Sequence, residues 1–191
     1  ATETALDDTT SVAVIGGRGF VGSALVSACR NRGCAVEVLG REEYDRYRGR
    51  HFDVLINANG NSRKYLARRE PVRAFDLSVA SVMRSLCDFD CDRYVHLSSI
   101  DVYPDPGDPA CTRETASIDP AGLSPYGLHK HLAEQLVRNR ADAWLIVRMG
   151  GFVGPGLWKN AVYDLLTGRP LYVHPESRYQ FLHTRSLAEC V

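Results

Sequence analysis

The sequence has 191 residues, of which 45% are hydrophobic and 24% charged, and its formal net charge is zero. This length suffices for one domain with a sizeable core. The balanced charge argues against nucleic acid or an anionic membrane as a partner, and no apolar run approaches transmembrane length.

The chain opens with a polar, acidic stretch, residues 1–10, which we expect to be a disordered lead-in without the features of a signal peptide. In residues 11–191 strands alternate with helices, the pattern of βαβ units around a parallel sheet. We expect a Rossmann-like, doubly wound α/β domain. The predicted strands cover residues 11–15, 35–39, 53–57, 93–97, 144–147 and 171–173. The predicted helices cover residues 20–31, 71–86, 126–139 and 159–167.

A glycine-rich turn with the pattern GxxGxxG joins the first predicted strand to the first predicted helix. Gly16 permits a tight turn, Gly19 lets the backbone approach a pyrophosphate, and Gly22 allows close packing of helix and sheet. The N–H groups and the dipole at the helix start favour phosphate. A plain βα turn is the alternative for a glycine triplet alone. The residues expected to contact a dinucleotide here are Gly16, Arg18, Gly19, Phe20, Val21 and Gly22.

The end of the second predicted strand bears on the choice of dinucleotide. An NAD site usually has an acidic residue there to accept the ribose hydroxyls, and this chain has Gly40 followed by Arg41. Arg18 and Arg41 suit a 2′-phosphate, because a guanidinium matches phosphate geometry. The sequence therefore predicts NADP in preference to NAD, unless Glu42 turns inward to accept the ribose.

Three polar residues further along the chain suit proton transfer. Ser99 follows a buried strand, and Tyr126 and Lys130 lie four residues apart on one face of the next helix. A free tyrosine titrates near pH ~10, and a nearby ammonium together with an oxidised nicotinamide favours its phenolate. Ser99 would hydrogen-bond the substrate oxygen beside Tyr126. Each pattern alone is common, but their order after a glycine turn points to an enzyme.

No metal site is expected from the cysteines and histidines. The six cysteines form no CxxC pair and no zinc-type spacing with histidine, and His129 and His131 point in different directions on a helix. With no secretory signal, reduced thiols in the cytoplasm are the expectation.

These motifs resemble the extended short-chain dehydrogenase/reductase family, the NAD-dependent epimerase/dehydratase group. The resemblance runs from Ser11 to the last residue and rests on the segments GGRGFVG, SSIDVY, YGLHK, Arg148 with VGP, and QFLH. It implies that Tyr126 is the acid/base, that Lys130 assists it and binds the ribose, and that Ser99 orients the substrate. It also implies that Asn57, Ala58 and Asn59 line the cofactor, and that Asp101, Gly151 and Arg178 face the substrate, a sugar nucleotide.

The chain departs from the family pattern on the substrate side. Gly151 stands where the epimerases have an asparagine that contacts the sugar nucleotide, and Tyr179 stands where an arginine is usual, with Arg178 one place earlier. Ile100 and Asp101 stand where the 4,6-dehydratases have two carboxylates, which weakens a dehydratase interpretation.

The combined prediction is an NADP-dependent oxidoreductase or epimerase acting on a sugar nucleotide, with ketoreductase and epimerase chemistry both open. The alternatives are a dinucleotide-binding regulator without chemistry and a reductase of a non-nucleotide natural-product intermediate. The resemblance also implies a homodimer through the Tyr126 helix. Because family members continue well beyond the motif around His183, we expect little or none of the usual C-terminal substrate domain, and an open substrate cleft.

Overall fold

The computed structural model describes residues 9–191, so residues 1–8 of the predicted lead-in lie outside the described residues. Five parallel strands form the central sheet in the order β2-β1-β3-β4-β5. The strands are β1 (Ser11–Ile15), β2 (Ala35–Leu39), β3 (His51–Asn57), β4 (Asp90–Ser99) and β5 (Trp144–Met149). The strand order reverses between β1 and β3, the place where open α/β sheets bind ligands. The predicted doubly wound parallel sheet is confirmed.

Two strands begin earlier than the sequence pattern predicts. β3 begins at His51 and β4 at Asp90, where His51 pairs with Asp90 and Phe52 with Cys91. The strands were predicted to begin where the apolar runs begin. In the structure they begin where backbone pairing begins, and the pairing of β3 with β4 extends into polar residues at the amino ends of both strands.

The helices lie on both faces of the sheet. They are α1 (Phe20–Asn31), α2 (Arg41–Tyr44), α3 (Leu66–Arg69), α4 (Pro71–Phe75), α5 (Ser81–Asp88), α6 (Pro125–Arg140), α7 (Ala161–Leu166) and α8 (Thr184–Cys190). The predicted helix over 71–86 is present as α4 and α5, joined by a π-helical turn at Asp76–Ala80. None of the helices in residues 9–191 is long and apolar enough to cross a membrane.

The core has one apolar layer on each face of the sheet. One face packs Val12, Val14 and Val95 against Leu25 and other residues of α1. The opposite layer places Leu55, Tyr94, Val82 and Val137 between the sheet and the helices α5 and α6. The two layers hold the carboxyl ends of β1, β3 and β4 in fixed relation to the first turns of α1 and α6.

The chain after β5 forms a second, small parallel sheet, from β6 (Gly151–Val153) and β7 (Phe181–His183). The strand predicted at 171–173 is wrong: Tyr172 is 89% exposed and no strand forms there. β6 pairs instead with β7, so the apolar run at 171–173 has no neighbouring strand. Of the region after Met149, the described residues form only this two-stranded sheet, α7 and α8.

Candidate active site

The glycine turn brings α1 close to the end of β1. Gly16 has a φ of +76°, which favours glycine, and its N–H donates to the Leu39 carbonyl at 3.1 Å. A Cβ at Gly22 would lie 2.3 Å from the Gly16 carbonyl oxygen, so a side chain there would force the helix away from the turn. Gly19 is the residue immediately before α1, whose first N–H groups have no carbonyl partner within the helix. This geometry fits a dinucleotide pyrophosphate.

The end of β2 carries an ion pair that the sequence did not predict. Arg18 forms two hydrogen bonds to the Glu43 carboxylate, which also accepts the Gly40 N–H at 3.1 Å. Hydrogen bonding and charge from Glu43 raise the pKa of Arg18, and the same hydrogen bond lowers the pKa of Glu43. Glu43 stands three residues after Gly40, the residue that precedes α2, and this is the spacing of a capping box. That spacing was the available sequence signal for Glu43. Arg41 is exposed at the start of α2.

The loop after β3 is fixed by the buried Asn57. Its amide donates to Ser85 Oγ at 3.1 Å and to the Tyr94 hydroxyl at 2.8 Å, and its carbonyl oxygen accepts the Asn59 N–H at 3.0 Å. The side chain of Asn57 thus shapes the loop. Ala58, whose N–H donates to the Ile15 carbonyl at 2.9 Å, and Asn59 follow it at the same edge as the glycine turn.

The first turn of α6 brings Tyr126 to Ser99. Ser124 caps the helix by accepting the Gly127 N–H at 3.1 Å, with Pro125 in the first position. A Cβ at Gly127 would lie 2.2 Å from the Asp101 carbonyl oxygen, so this glycine permits the close approach of α6 to the turn after β4. Tyr126 and Ser99 are both buried, and the Ser99 hydroxyl lies close enough to the phenol to lower the pKa of Tyr126.

Lys130 lies one turn further along α6 and is also buried. Its Nζ donates to the Leu97 carbonyl at 3.2 Å. Burial lowers the pKa of Lys130 to about 8, against the opposing charges of Glu134 and Asp101. Burial, followed by the Asp101 charge, raises the pKa of Tyr126 to about 12, with Ser99 acting in the other direction. In the protein alone the phenol is therefore protonated, and the lowering expected from the nearby ammonium does not dominate.

Asp101 lies beside Ser99 and Tyr126 and has a second partner, Lys64. Ser99 Oγ donates to Asp101 Oδ2 at 2.7 Å, and Lys64 Nζ donates to Asp101 Oδ1 at 2.6 Å. Lys64 also lies 5.8 Å from the centre of the Tyr126 ring. Sequence reasoning missed Lys64; its only signal was its place in the loop after β3, at the carboxyl edge of the sheet.

A buried ion pair supports the site from behind. Arg148 of β5 binds the fully buried Glu134 of α6 through Nε at 3.0 Å and Nη2 at 2.8 Å. Arg148 Nη1 also donates to the Tyr103 hydroxyl at 2.8 Å, and Ser98 Oγ donates to Glu134 at 2.6 Å. These bonds join β4, which carries Ser99, to α6, which carries Tyr126, and to the neighbouring strand β5. Glu134 was not predicted, although it lies one turn from Lys130 on the same helical face.

Two of the residues predicted to contact the substrate, Gly151 and Arg178, lie in or beside the small sheet of β6 and β7. Gly151 lies in β6, and a Cβ there would come within 2.8 Å of the Phe181 ring, so an asparagine would not fit without a shift. Arg178 is exposed in the segment before β7 and forms no ion pair with the described residues, while Tyr179 stacks on Phe181 at 5.8 Å. The structure therefore brings Asp101 to Tyr126, whereas Gly151 and Arg178 belong to the surroundings of the small sheet.

One group of side chains in residues 9–191 has the spacing of metal ligands. The ligand atoms of His51, Asp53 and Asp92 lie within 4.8 Å of one another. Asp53 accepts the Ser11 N–H and hydroxyl at 2.6 Å each, and His51 Nδ1 lies 3.0 Å from Asp90. These groups lie where β3 and β4 begin, at the opposite edge from Tyr126, and they already have protein partners.

The chain is similar to a known family of enzymes and to solved structures. A model of the NAD dependent epimerase/dehydratase family matches residues 50–191. A solved structure of UDP-galactose 4-epimerase is 25% identical with a TM-score of 0.73, and the match covers 93% of this chain and 69% of that one. No curated protein sequence matches the chain significantly.

Two further solved structures share the fold at lower identity. A UDP-N-acetylglucosamine 4-epimerase from Methanobrevibacter ruminantium M1, in complex with UDP-N-acetylmuramic acid, is 16% identical with a TM-score of 0.74, covering 96% of this chain and 72% of that one. MoeE5, in complex with UDP-glucuronic acid and NAD, is 21% identical with a TM-score of 0.75, covering 94% of this chain and 70% of that one.

Proposed function

The chain belongs to the NAD-dependent epimerase/dehydratase family, and we propose that it oxidises or reduces a carbinol carbon of a sugar nucleotide with a nicotinamide dinucleotide. The observation that carries the proposal is the convergence of Ser99, Tyr126 and Lys130 at the carboxyl edge of the sheet. This edge also holds the glycine turn, so a dinucleotide bound across β1 and β3 would extend towards Tyr126. Sugar nucleotides are ligands of the similar solved structures.

The proposed mechanism divides the work among three side chains. When bound, the dinucleotide supplies hydride transfer at its nicotinamide. Tyr126 donates its phenolic proton to a substrate carbonyl, or accepts the proton of a substrate hydroxyl in the reverse direction. Lys130 holds a positive charge one helical turn away, which favours the phenolate once Tyr126 has given up its proton. Ser99 holds the substrate oxygen beside the phenol.

The cofactor contacts proposed for the chain lie in three segments. The glycine turn and the first turn of α1 would hold the pyrophosphate through Gly16, Arg18, Gly19, Phe20, Val21 and Gly22. The loop after β3 would line the dinucleotide through Asn57, Ala58 and Asn59. Lys130 would reach the nicotinamide ribose. The absence of side chains at the three glycines supports this assignment, since each Cβ would collide with backbone or approach it closely.

NADP is our proposal for the preferred dinucleotide, supported by Arg41 and Arg18. Glu43 opposes it, because its carboxylate already binds Arg18 and would repel a 2′-phosphate. We expect Arg41→Ala to weaken NADPH about tenfold and NADH little, since only NADPH carries the extra phosphate. Dissociation constants from fluorescence titration check this. A preference of the unaltered chain for NADH contradicts the NADP proposal and leaves the catalytic proposal standing.

A reductase of a non-nucleotide substrate is the second candidate. Two observations favour it: the Phe181 ring fills the space beside Gly151, and Tyr179 replaces a usual arginine. Incubation with NAD or NADP and a panel of UDP-galactose, UDP-glucose and UDP-glucuronic acid separates the candidates. NMR of the sugars detects epimerisation, and absorbance at ~340 nm detects net redox chemistry. Tight dinucleotide binding without conversion of any sugar nucleotide contradicts the first proposal and favours the second candidate or a regulator.

A homodimer and a reducing compartment complete the proposal. All six cysteines are free thiols, which supports a compartment such as the cytoplasm.

Val72 and Phe75 on α4 and Leu77 on the adjoining turn are exposed apolar residues, and Phe75 contacts His129 of α6 at 5.6 Å. This surface beside α6 supports a dimer through the Tyr126 helix, and sedimentation velocity tests it.

A further inference from the structure

The loop after β3 carries a cation into the candidate active site that the proposed mechanism does not use. Lys64 Nζ lies 2.6 Å from Asp101 Oδ1 and 5.8 Å from the centre of the Tyr126 ring. The Lys64 side chain is 65% exposed, whereas that of Asp101 is only 20% exposed. An exposed lysine therefore holds a largely enclosed carboxylate at the mouth of the site.

The hydrogen bonds of Ser99 show why this carboxylate matters. A serine hydroxyl has a single hydrogen, and an ionised carboxylate can only accept. Ser99 Oγ lies 2.7 Å from Asp101 Oδ2 and itself accepts the Asp101 N–H at 3.2 Å. While Asp101 is ionised, the Ser99 hydrogen points to Asp101, and Ser99 offers only a lone pair to Tyr126 or to a substrate oxygen.

Both carboxylate oxygens of Asp101 are thus committed, one to Ser99 and one to Lys64. The Lys64 ammonium draws negative charge to the far oxygen and so weakens the hold of Asp101 on the Ser99 hydrogen. It also offsets the anion that lies closest to the phenol. Without Lys64, Asp101 would bind the serine hydrogen more tightly and oppose the phenolate more strongly.

We infer that Lys64 is a positioning residue which, acting through Asp101, sets where the Ser99 hydrogen points and how readily Tyr126 loses its proton. The role rests on the proposed function of Tyr126. The charged groups that face the phenol are Asp101 from the turn after β4 and Lys64 from the loop before α3. Lys130 lies one turn further along α6, where its Nζ donates to the Leu97 carbonyl. The helices α3 and α4 pack apolar side chains against Tyr126, namely Leu66, Ala67 and Ala74.

The titration of Tyr126 tests this inference without a substrate. Protein labelled with ¹³C at tyrosine Cζ is titrated by NMR in its complex with NAD, because the positively charged nicotinamide favours the phenolate and is expected to bring the Tyr126 midpoint into the pH range where lysine ammonium groups are charged. The Tyr126 signal is identified by its loss in Tyr126→Phe. We expect Lys64→Met to raise the midpoint by about 0.5–1 pH unit. Lys64→Arg should keep the midpoint of the unaltered protein, and Asp101→Asn should lower it. Because Lys64 is mostly exposed, its variants are expected to fold, and circular dichroism verifies this.

A double variant shows whether Lys64 acts through Asp101. In an Asp101→Asn background, Lys64→Met should produce less than half of its shift in the original background. Equal shifts in both backgrounds overturn the inference, because they mean that Lys64 acts directly on the phenol. The absence of any shift overturns it as well. Lys159→Met is the matched control: Lys159 binds Ser62 at 2.7 Å in the same loop, and its loss should leave the Tyr126 midpoint in place.

The readout also separates this inference from the proposed function. If the sugar-nucleotide panel is not converted but the Tyr126 midpoint depends on Lys64 and Asp101 as expected, the proposed function fails and the positioning role stands. If the sugar-nucleotide panel is converted but the Tyr126 midpoint does not depend on Lys64, the positioning role fails and the proposed function stands.

Discussion

Lys130, a residue that the proposed mechanism uses, opposes the stability of the fold. The residue is 6% exposed, and its ammonium has one carbonyl partner, Leu97, at 3.2 Å. Burying a charge with so few partners costs free energy, which appears here as the lowering of the Lys130 pKa to about 8. The residue is therefore better explained by its place beside Tyr126 than by any contribution to folding.

We predict that Lys130→Met abolishes turnover and stabilises the fold by about 3 kcal/mol at neutral pH. Because the folded pKa of about 8 lies below the ordinary 10.5, the unfolded chain binds more protons between these values. The stability of the unaltered protein should therefore rise across that window, and the advantage of methionine should shrink. Urea unfolding at a series of pH values measures the difference. A variant less stable than the unaltered protein at neutral pH refutes this account of Lys130.

At the scale of elements, the sequence predicted what local patterns determine and missed what tertiary contacts determine. The glycine turn, α1 and the end of β4 were predicted at or near their observed places, since strand-turn-helix chemistry is local. The strand at 171–173 was wrong because an apolar run needs a paired neighbour, and β6 pairs with β7 instead. The π-helical turn at Asp76–Ala80 has no signature in the period of its apolar residues.

In the candidate site too, local sequence patterns were informative and tertiary contacts were not visible in the sequence. The order of the motifs predicted that Ser99, Tyr126 and Lys130 would come together, whereas Lys64 and Glu134 had no such signal. The capping-box spacing indicated Glu43 as a cap but not its bond to Arg18. Each of these three is defined by a partner that is distant in sequence or on another element. An isolated glutamate or lysine on a polar surface pattern carries no mark of such a partner.

The Glu134–Arg148 pair should be the strongest link between α6 and β5. Glu134→Ala would leave the Arg148 guanidinium largely buried without its carboxylate, and we expect a loss of about 3–5 kcal/mol of unfolding free energy. Denaturant unfolding measures it. Glu176→Ala, which removes an exposed carboxylate, is the matched control and should change stability by less than about 0.5 kcal/mol. Equal stabilities of the two variants would refute a supporting role for the pair.

Across the whole molecule, the side proposed to bind the cofactor and the side proposed to bind the substrate differ in construction. The cofactor side rests on a five-stranded sheet with a helical layer on each face. The substrate side has a two-stranded sheet and a segment in which Trp158, Leu171 and Tyr172 are 48% exposed or more. The described chain covers about 70% of the length of the similar structures, as in the 69% of the UDP-galactose 4-epimerase.

We therefore predict that this chain by itself binds a dinucleotide well and a sugar nucleotide poorly. An open site excludes water incompletely and holds a substrate loosely. We expect dissociation constants in the micromolar range for the dinucleotide and above about 1 mM for UDP-galactose. Isothermal titration calorimetry of each ligand provides both values. Micromolar binding of UDP-galactose would refute the open cleft.

The proposed function depends above all on proton transfer by Tyr126, which is tested by replacing Tyr126 with phenylalanine. Turnover of the sugar nucleotide that the unaltered chain converts fastest is measured for Tyr126→Phe, together with dinucleotide affinity. Phenylalanine removes the proton carrier and little volume, so we expect a rate lower by a factor of about 10²–10⁴ with dinucleotide affinity unchanged. An unchanged rate in Tyr126→Phe would contradict the account.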